Sequence, residues 1–517
     1  MTADWSSGYV TDIEYTYGYY PELAPVLLNY IAVLGGHKPR PIEGEFSYCE
    51  LGCGNGVSTN VMAACYPRGS FYGVDFNPNH IANANEVASA GGLSNVKFLE
   101  RSFSDLMAED LPEFDFIGLH GVYSWISAEN RRSIVDIIRT RLKPGGIVYI
   151  SYNTLPGWAT IEPLRRLLVE YTGTLSGDMA SKIKTTLDHA GQLAERGARF
   201  FDQGGRVKAM LDRLQKATPA YIAHEYLNKD WSLLYFTDVA REMAGAKLTF
   251  AGSANAVKNH LQFLLSQQQR EIIASVSDPM LRELEKDFLI NEQFRRDVYV
   301  KAMPTVGGPT LQTLAQIRVG SFVGERDIQR EISIPAGTMK LQHPMHDKLI
   351  ALVAEAPRTL AELLQHPDLK GLEPAEIIHV VNALVAGDQF KPFARANAAP
   401  TGKIDGAVDV PSAFNRAILA SLFGNPKVRV LASPVAGMGV TLSGLDGLVL
   451  ASIAAVGVAD AANGIWRELA KRGRRLVKDG KPVEDEAENK KMLVEGVEQF
   501  RQTKLDRFVQ LGIITPK

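Results

Sequence analysis

Cysteine is scarce in this chain of 517 residues: there are three, Cys49, Cys53 and Cys65, all near the start. An odd, small number excludes a disulfide scaffold and suits free thiols in a reducing compartment. No His or Cys cluster accompanies them, so no tetrahedral metal set is predicted. An excess of either charge is also missing. Lys plus Arg number 56 and Asp plus Glu 58, for a net charge of -2. Without a bulk positive field, nucleic acid is a poor default partner. Long apolar runs are absent as well. The longest weakly polar stretch, Gly447 to Ala459, lies between Asp446 and Asp460 and falls short of the roughly 20 residues of a spanning helix. Met1 to Ser7 shows no basic region ahead of an apolar run, so no signal peptide is expected.

Hydrophobic residues make up 45% of the chain, enough for sizeable cores. At roughly 150 residues per domain, three or four domains are expected. Short apolar runs (Phe46–Leu51, Ser70–Val74, Val96–Leu99, Phe114–Leu119, Ile147–Tyr152) alternate with helical spacing at Ser58–Cys65, Pro78–Ala90 and Ala128–Leu142. That alternation predicts an α/β fold, a doubly wound Rossmann-like parallel sheet with helices on both faces. Lys143-Pro144-Gly145-Gly146 reads as a turn ahead of the fifth strand. Past Trp158 the chain reads as mostly helical to about Leu265. Pro304 to Pro309 and Ala396 to Gly402 read as linkers. His346 to Phe393 gives helix, short helix, helix, strand, the order of a winged helix. Its third helix has no Arg or Lys, which points away from DNA. A long amphipathic helix is predicted over Glu486–Leu511. The basic run Lys471 to Arg475 reads as a solvated face. The expected domains are 1–200 (α/β with an N-terminal arm), 201–305 (helical), 306–400 (winged-helix-like) and 401–517 (helical or winged-helix-like).

The chemistry concentrates at Glu50-Leu51-Gly52-Cys53-Gly54-Asn55-Gly56, after a strand and before a helix. Glycine lets a ligand press against the backbone. The dinucleotide fingerprint wants its third glycine where Val57 stands, which weakens a phosphate-cradling reading. The segment resembles motif I of the class I S-adenosylmethionine (SAM) methyltransferases, (E/D)xGxGxG. In that setting Glu50 faces a cofactor bearing an ammonium and a sulfonium, where a pyrophosphate would be repelled.

The resemblance implies further cofactor contacts. Asp75, at the second strand's end, would take the ribose hydroxyls; alone, it reads as a helix cap. Phe76 would lie over the adenine, and Ser102, the Phe103 backbone or Asp105 would meet its amino group. Many family members have an Asp at the position of Ser102, so this chain departs from the pattern there. The arm Tyr15 to Pro21 concentrates four tyrosines, with Tyr17 and Tyr20 as expected lid contacts.

At the ends of strands four and five, Tyr123, Trp125, Tyr152 and Asn153 are expected to line the acceptor pocket, with His120 as a base or a cofactor contact. The Asn-Pro-Pro-Tyr signature of amino-adenine methylases is absent there. A second block, His224-Glu225-Tyr226-Leu227-Asn228 followed by Trp231 and by Ala246 to Ala254, resembles the methyltransferase regulatory domain. The whole arrangement is similar to bacterial lysine methyltransferases that modify outer-membrane proteins. The resemblance implies a cytoplasmic, dimeric enzyme methylating lysine amines of a polypeptide, an outer-membrane protein before export. A small-molecule acceptor and a SAM-binding regulator without turnover stay open as alternatives.

Overall fold

The computed structural model describes residues 17–202, 205–228, 230–303, 311–396, 406–424, 426–478 and 480–517. Met1 to Ser7, Tyr15 and the expected linkers at 304–309 and 397–402 lie outside them. Seven strands form one sheet: β1 (Ser47–Leu51), β2 (Ser70–Asp75), β3 (Val96–Glu100), β4 (Phe114–Leu119), β5 (Leu142–Asn153), β6 (Thr249–Ser253) and β7 (Phe294–Val300). Their order is β3-β2-β1-β4-β5-β7-β6. The first five are parallel; β7 runs antiparallel to both β5 and β6. Every residue of β1 and β4 is buried, which is why both read as unbroken apolar runs.

Helices α1 (Pro25–Leu34), α2 (Val57–Cys65), α3 (Pro78–Ala90), α4 (Phe103–Leu106) and α5 (Ala128–Arg141) belong to this half. The expected turn Lys143 to Gly146 is absorbed into β5. Gly145 takes a left-handed conformation (φ +74°) and donates to Lys301 O at 2.9 Å, while the β4 register slips between Phe114 and Phe116. The glycine signal marks a bulge inside the strand, not a turn ahead of it.

The expected boundary after residue 200 cuts through a single sheet, because β6 and β7 both come from the 201–305 segment. The strand β7 was missed because its sequence, Phe-Arg-Arg-Asp-Val-Tyr-Val, puts charge where a core strand should be apolar. Two of those charges, Arg295 and Asp297, are buried and paired. Arg295 bonds Asp287 at 2.6 Å, Asp297 at 3.0 Å and Glu283 at 3.1 Å, and Tyr152 donates to Asp297 at 2.6 Å. Buried ions persist when paired in this way.

Between β5 and β6 stands an insert with its own core. Helices Glu162–Thr174, Met179–Glu195, Arg206–Gln215 and Pro219–Tyr226 meet through Leu164, Leu168, Ile183, Leu187, Leu211 and Ile222. Helix Phe236–Gly245 then returns to the sheet and packs Phe236, Val239 and Met243 with Ile134 and Ile138 of α5.

In the next region, helices Pro344–Glu355, Leu360–Leu364 and Pro374–Ala386 accompany three short strands ordered Arg358–Thr359, Arg318–Gly320, Lys391–Pro392. The predicted helix Glu486–Leu511 breaks at Lys504 into Glu486–Thr503 and Leu505–Gln510. The break brings Phe508 to 5.5 Å from Phe500, folding one apolar face onto itself. A hairpin, Val430–Ser433 with Met438–Thr441, packs on α2. Among the described residues no single helix is long and apolar enough to cross a membrane.

Candidate active site

The turn after β1 is shaped by backbone conformations that only glycine adopts without strain. Gly52 has φ +74°, and a Cβ there would meet Val122 Cγ2 at 2.4 Å. Gly56, which opens α2, has φ +65°, and a Cβ would meet Ala84 at 2.5 Å and Phe98 at 2.7 Å. Left-handed geometry costs other residues roughly 1–2 kcal/mol before any clash. The N–H groups of Gly52 and Cys53 donate to Val74 O at 2.7 and 2.9 Å, fastening the turn to the tip of β2.

Asp75 locks the same two strand tips. Its Oδ2 accepts from the Gly54 N–H at 2.9 Å. Its Oδ1 accepts from the Asn77 N–H at 2.9 Å and lies 3.1 Å from His80 Nδ1. A carboxylate offers about four lone-pair positions, so these three contacts leave capacity for a ligand hydroxyl. Asn55 accepts from Asn83 at 3.1 Å. Ser102 caps α4: it accepts from the Asp105 N–H at 3.2 Å and donates to that carboxylate at 2.7 Å. Phe76 and Phe103 are half-buried beside these strand tips.

Glu50 is 3% exposed. Thr59 donates to its Oε2, and no cation pairs with it among the described residues. Burial pushes its carboxyl up to about 8; Thr59 opposes the shift and the charge of Asp75 adds to it. A buried acid short of a positive partner fits a ligand that brings one.

The N-terminal arm closes over this turn. The Tyr20 N–H donates to Ser58 Oγ at 3.0 Å, and its ring stacks on His120 with centroids 3.7 Å apart. Tyr19 Oη accepts from the Gly439 N–H of the C-terminal hairpin at 2.5 Å. Tyr17 receives Lys427 Nζ at 2.8 Å, so that ring faces the C-terminal region. The His120 Nδ1 meets Tyr149 Oη at 2.8 Å. Burial, then the charge of Arg296, push its imidazolium down to about 3. A ring with so little proton affinity makes a neutral wall and a poor base.

Two expected pocket residues lie elsewhere. Tyr123 is fully buried on the far face of the sheet, where it donates to Glu242. Tyr152 is buried on that face too, against Asp297. Side chains of a strand alternate, so Tyr152 and Asn153 cannot line one pocket. The Tyr149, Ser151, Asn153 face is the one turned toward His120 and the β4 tip: Tyr149 Oη meets His120, and Ser151 Oγ accepts from the Gly121 N–H at 2.8 Å. Asn153 is 5% exposed, and its Nδ2 has no hydrogen-bond partner.

Trp125 joins an aromatic wall that the sequence only half revealed. Its ring is 6.3 Å from Trp231, which meets Trp158 edge-on at 5.4 Å. Trp158 is 6.0 Å from Tyr226. The Arg165 guanidinium lies 4.2 Å from the Trp231 ring and donates to Asn228 O at 2.6 Å. The segment after Asn228 is laced to the strand tips. Ser232 N–H donates to Ser124 O at 2.8 Å, Leu234 N–H to Asn153 O at 3.2 Å, and Thr154 Oγ1 to Leu234 O at 2.6 Å. The sequence reading passed over Thr59, His80, Tyr149, Ser151, Arg165 and Arg296. His80 and Thr59 carried a usable signal, each in the first turn of a helix that starts at one of the two strand tips.

Known proteins resemble this chain over its whole length. A methyltransferase domain family matches residues 42–197, and the family described as "Predicted methyltransferase regulatory domain" matches residues 218–301. An uncharacterized protein of Synechocystis is 36% identical over 510 residues, 98% of this chain and 99% of that protein. An uncharacterized protein of Rickettsia prowazekii is 32% identical over 214 residues, 41% of this chain and 84% of the relative. The structure of PKMT2 from Rickettsia typhi in complex with AdoHcy superposes with a TM-score of 0.73 at 19% identity, over 96% of this chain and 98% of that one. With the glycine turn, its two carboxylates and this strand order, the chain belongs to the class I S-adenosylmethionine-dependent methyltransferases that carry the methyltransferase regulatory domain.

Proposed function

We propose that the methyl acceptor is a lysine amine of a polypeptide. The observation that carries this reading is the aromatic wall of Trp125, Trp158 and Trp231 at the tips of β4 and β5. S-adenosylmethionine, when bound, supplies a methyl group made electrophilic by its sulfonium. The chain's own task is to present a lone pair in line with that methyl and to exclude water. Glu50 and Asp75 hold the donor's cationic and ribose ends, and Tyr20 and His120 cover it. Aromatic faces embrace the apolar stem of a lysine, and low polarity around its nitrogen lowers its proton affinity, freeing the lone pair. The name PKMT2 borne by the Rickettsia typhi fold neighbour agrees with a protein-lysine acceptor.

The test is incubation of the pure protein with methyl-labelled S-adenosylmethionine and a bacterial lysate, followed by acid hydrolysis and mass spectrometry. Label recovered as methyl-lysine is the expected result. Label confined to small molecules would replace this reading with a metabolite acceptor. No release of the demethylated cofactor would replace it with a regulator.

A further inference from the structure

Helix Arg206–Gln215 turns Arg206, Met210 and Arg213 onto one face, at i, i+4 and i+7 spacing. Opposite stand Gly157, in the turn after β5, and Gln293, just before β7. Between them lies a cleft of about 260 Å³, smaller than the roughly 300–1,000 Å³ typical of a small-molecule site. No acidic side chain lines it. Arg206 donates to the neutral carboxamide oxygen of Asn291 at 2.9 and 3.2 Å. Among the described residues neither Arg206 nor Arg213 has a carboxylate partner, in a chain whose net charge is -2. Two guanidinium forks without counter-charge suit a planar carboxylate, which each can grip at two points.

The cleft shares a partition with the aromatic wall. Met210, on its floor, accepts from Tyr226 Oη at 3.7 Å. Tyr226 packs on Trp158, and Trp158 on Trp231. Gly157 is the residue before Trp158. A polypeptide with its lysine along the tryptophans would have neighbouring side chains within reach of the arginines. From this we infer that the cleft is a specificity site for an aspartate or glutamate close to the target lysine. The inference rests on the lysine-amine reading and adds a sequence preference to it.

The test uses the full-length protein and two fluorescein-labelled peptides, each with one central lysine, flanked by glutamates in one and by glutamines in the other. Fluorescence polarisation at low salt is expected to show the wild type favouring the glutamate peptide about tenfold. The R206Q/R213Q double variant is expected to bind the two within twofold of each other, with cofactor affinity unchanged. Because Arg206 also holds Asn291, Arg213→Gln alone serves where the double variant fails to fold, with the preference cut about threefold. In turnover, KM for the glutamate peptide should rise in the variants while kcat holds. Equal binding of both peptides by the wild type, or a preference that survives in the variants, overturns the inference. Lysine labelling in lysate without a glutamate preference sinks this inference alone; label on another acceptor sinks the lysine reading and this inference with it.

Discussion

The two ends of the cleft proposed for catalysis are built in opposite ways. At the donor end, Glu50, Gly52, Gly54, Gly56, Thr59, Asp75 and His80 come from one strand–helix–strand–helix stretch, and most of their bonds join backbone groups or near neighbours. At the acceptor end, Trp125, Asn153, Trp158, Arg165, Tyr226 and Trp231 arrive from two strand tips and three parts of the insert. The contrast matches the two jobs proposed for them. A donor that never changes can be held by a turn, whereas an acceptor is chosen by side chains on a separate unit. Damage at one end should therefore leave the other intact, and that separation can be tested.

The largest effect is expected from Gly52→Val. Left-handed strain and the 2.4 Å approach to Val122 distort the turn. S-adenosylmethionine affinity should fall at least a hundredfold by calorimetry, with the far-ultraviolet circular dichroism retained. Unchanged affinity would remove the turn from the cofactor site. Trp231→Ala should do the reverse. With Trp125, Trp158 and Arg165 losing their common partner, kcat/KM should fall ten- to a hundredfold while cofactor affinity stays within twofold. A matching loss of cofactor affinity would mean the two ends are one site.

Glu50 sharpens the donor side through pH. Its carboxyl sits near 8 before a cation arrives, so below that pH binding a cationic ligand expels a proton. Affinity should rise with pH, by up to tenfold per unit, and level off above about 8. Glu50→Gln should bind more weakly at high pH and lose the slope. A flat profile in the wild type would mean that Glu50 does not answer the cofactor's charge.

The same contrast explains what could be read without a structure. The donor end was legible because its residues are contiguous and because glycine in a turn has a conformational meaning. Strands β1, β2, β4 and β5 were legible as largely buried apolar runs, and β3, where only Phe98 is buried, as a short apolar run between helices. Strand β7 was not, since Arg295 and Asp297 break its pattern; they pair with each other, Arg295 with Asp287 and Glu283 as well, and Tyr152 donates to Asp297, contacts that exist only in three dimensions. The aromatic wall was half legible: Trp125 lay at an expected strand end, and Trp231 belonged to a recognised block. Their meeting depends on the lacing of Ser232 to Ser124 and of Leu234 to Asn153, pairings between positions far apart in the sequence that no local pattern encodes.

The smallest effect is expected from Tyr123→Phe, and it bears on the acceptor side most directly. Position alone made Tyr123 as good a pocket candidate as Trp125, two residues on. The left-handed Gly121 follows β4, and after it Tyr123 drops into the core beneath the sheet while Trp125 emerges beside the insert. Removing the hydroxyl takes one bond from Glu242, which keeps Arg131 at 3.8 Å. Stability should fall by about 1 kcal/mol in denaturant unfolding, with kcat and KM within twofold of wild type. A tenfold loss of kcat at undiminished stability would return Tyr123 to the acceptor pocket and place the methyl-accepting atom on the opposite side of β4.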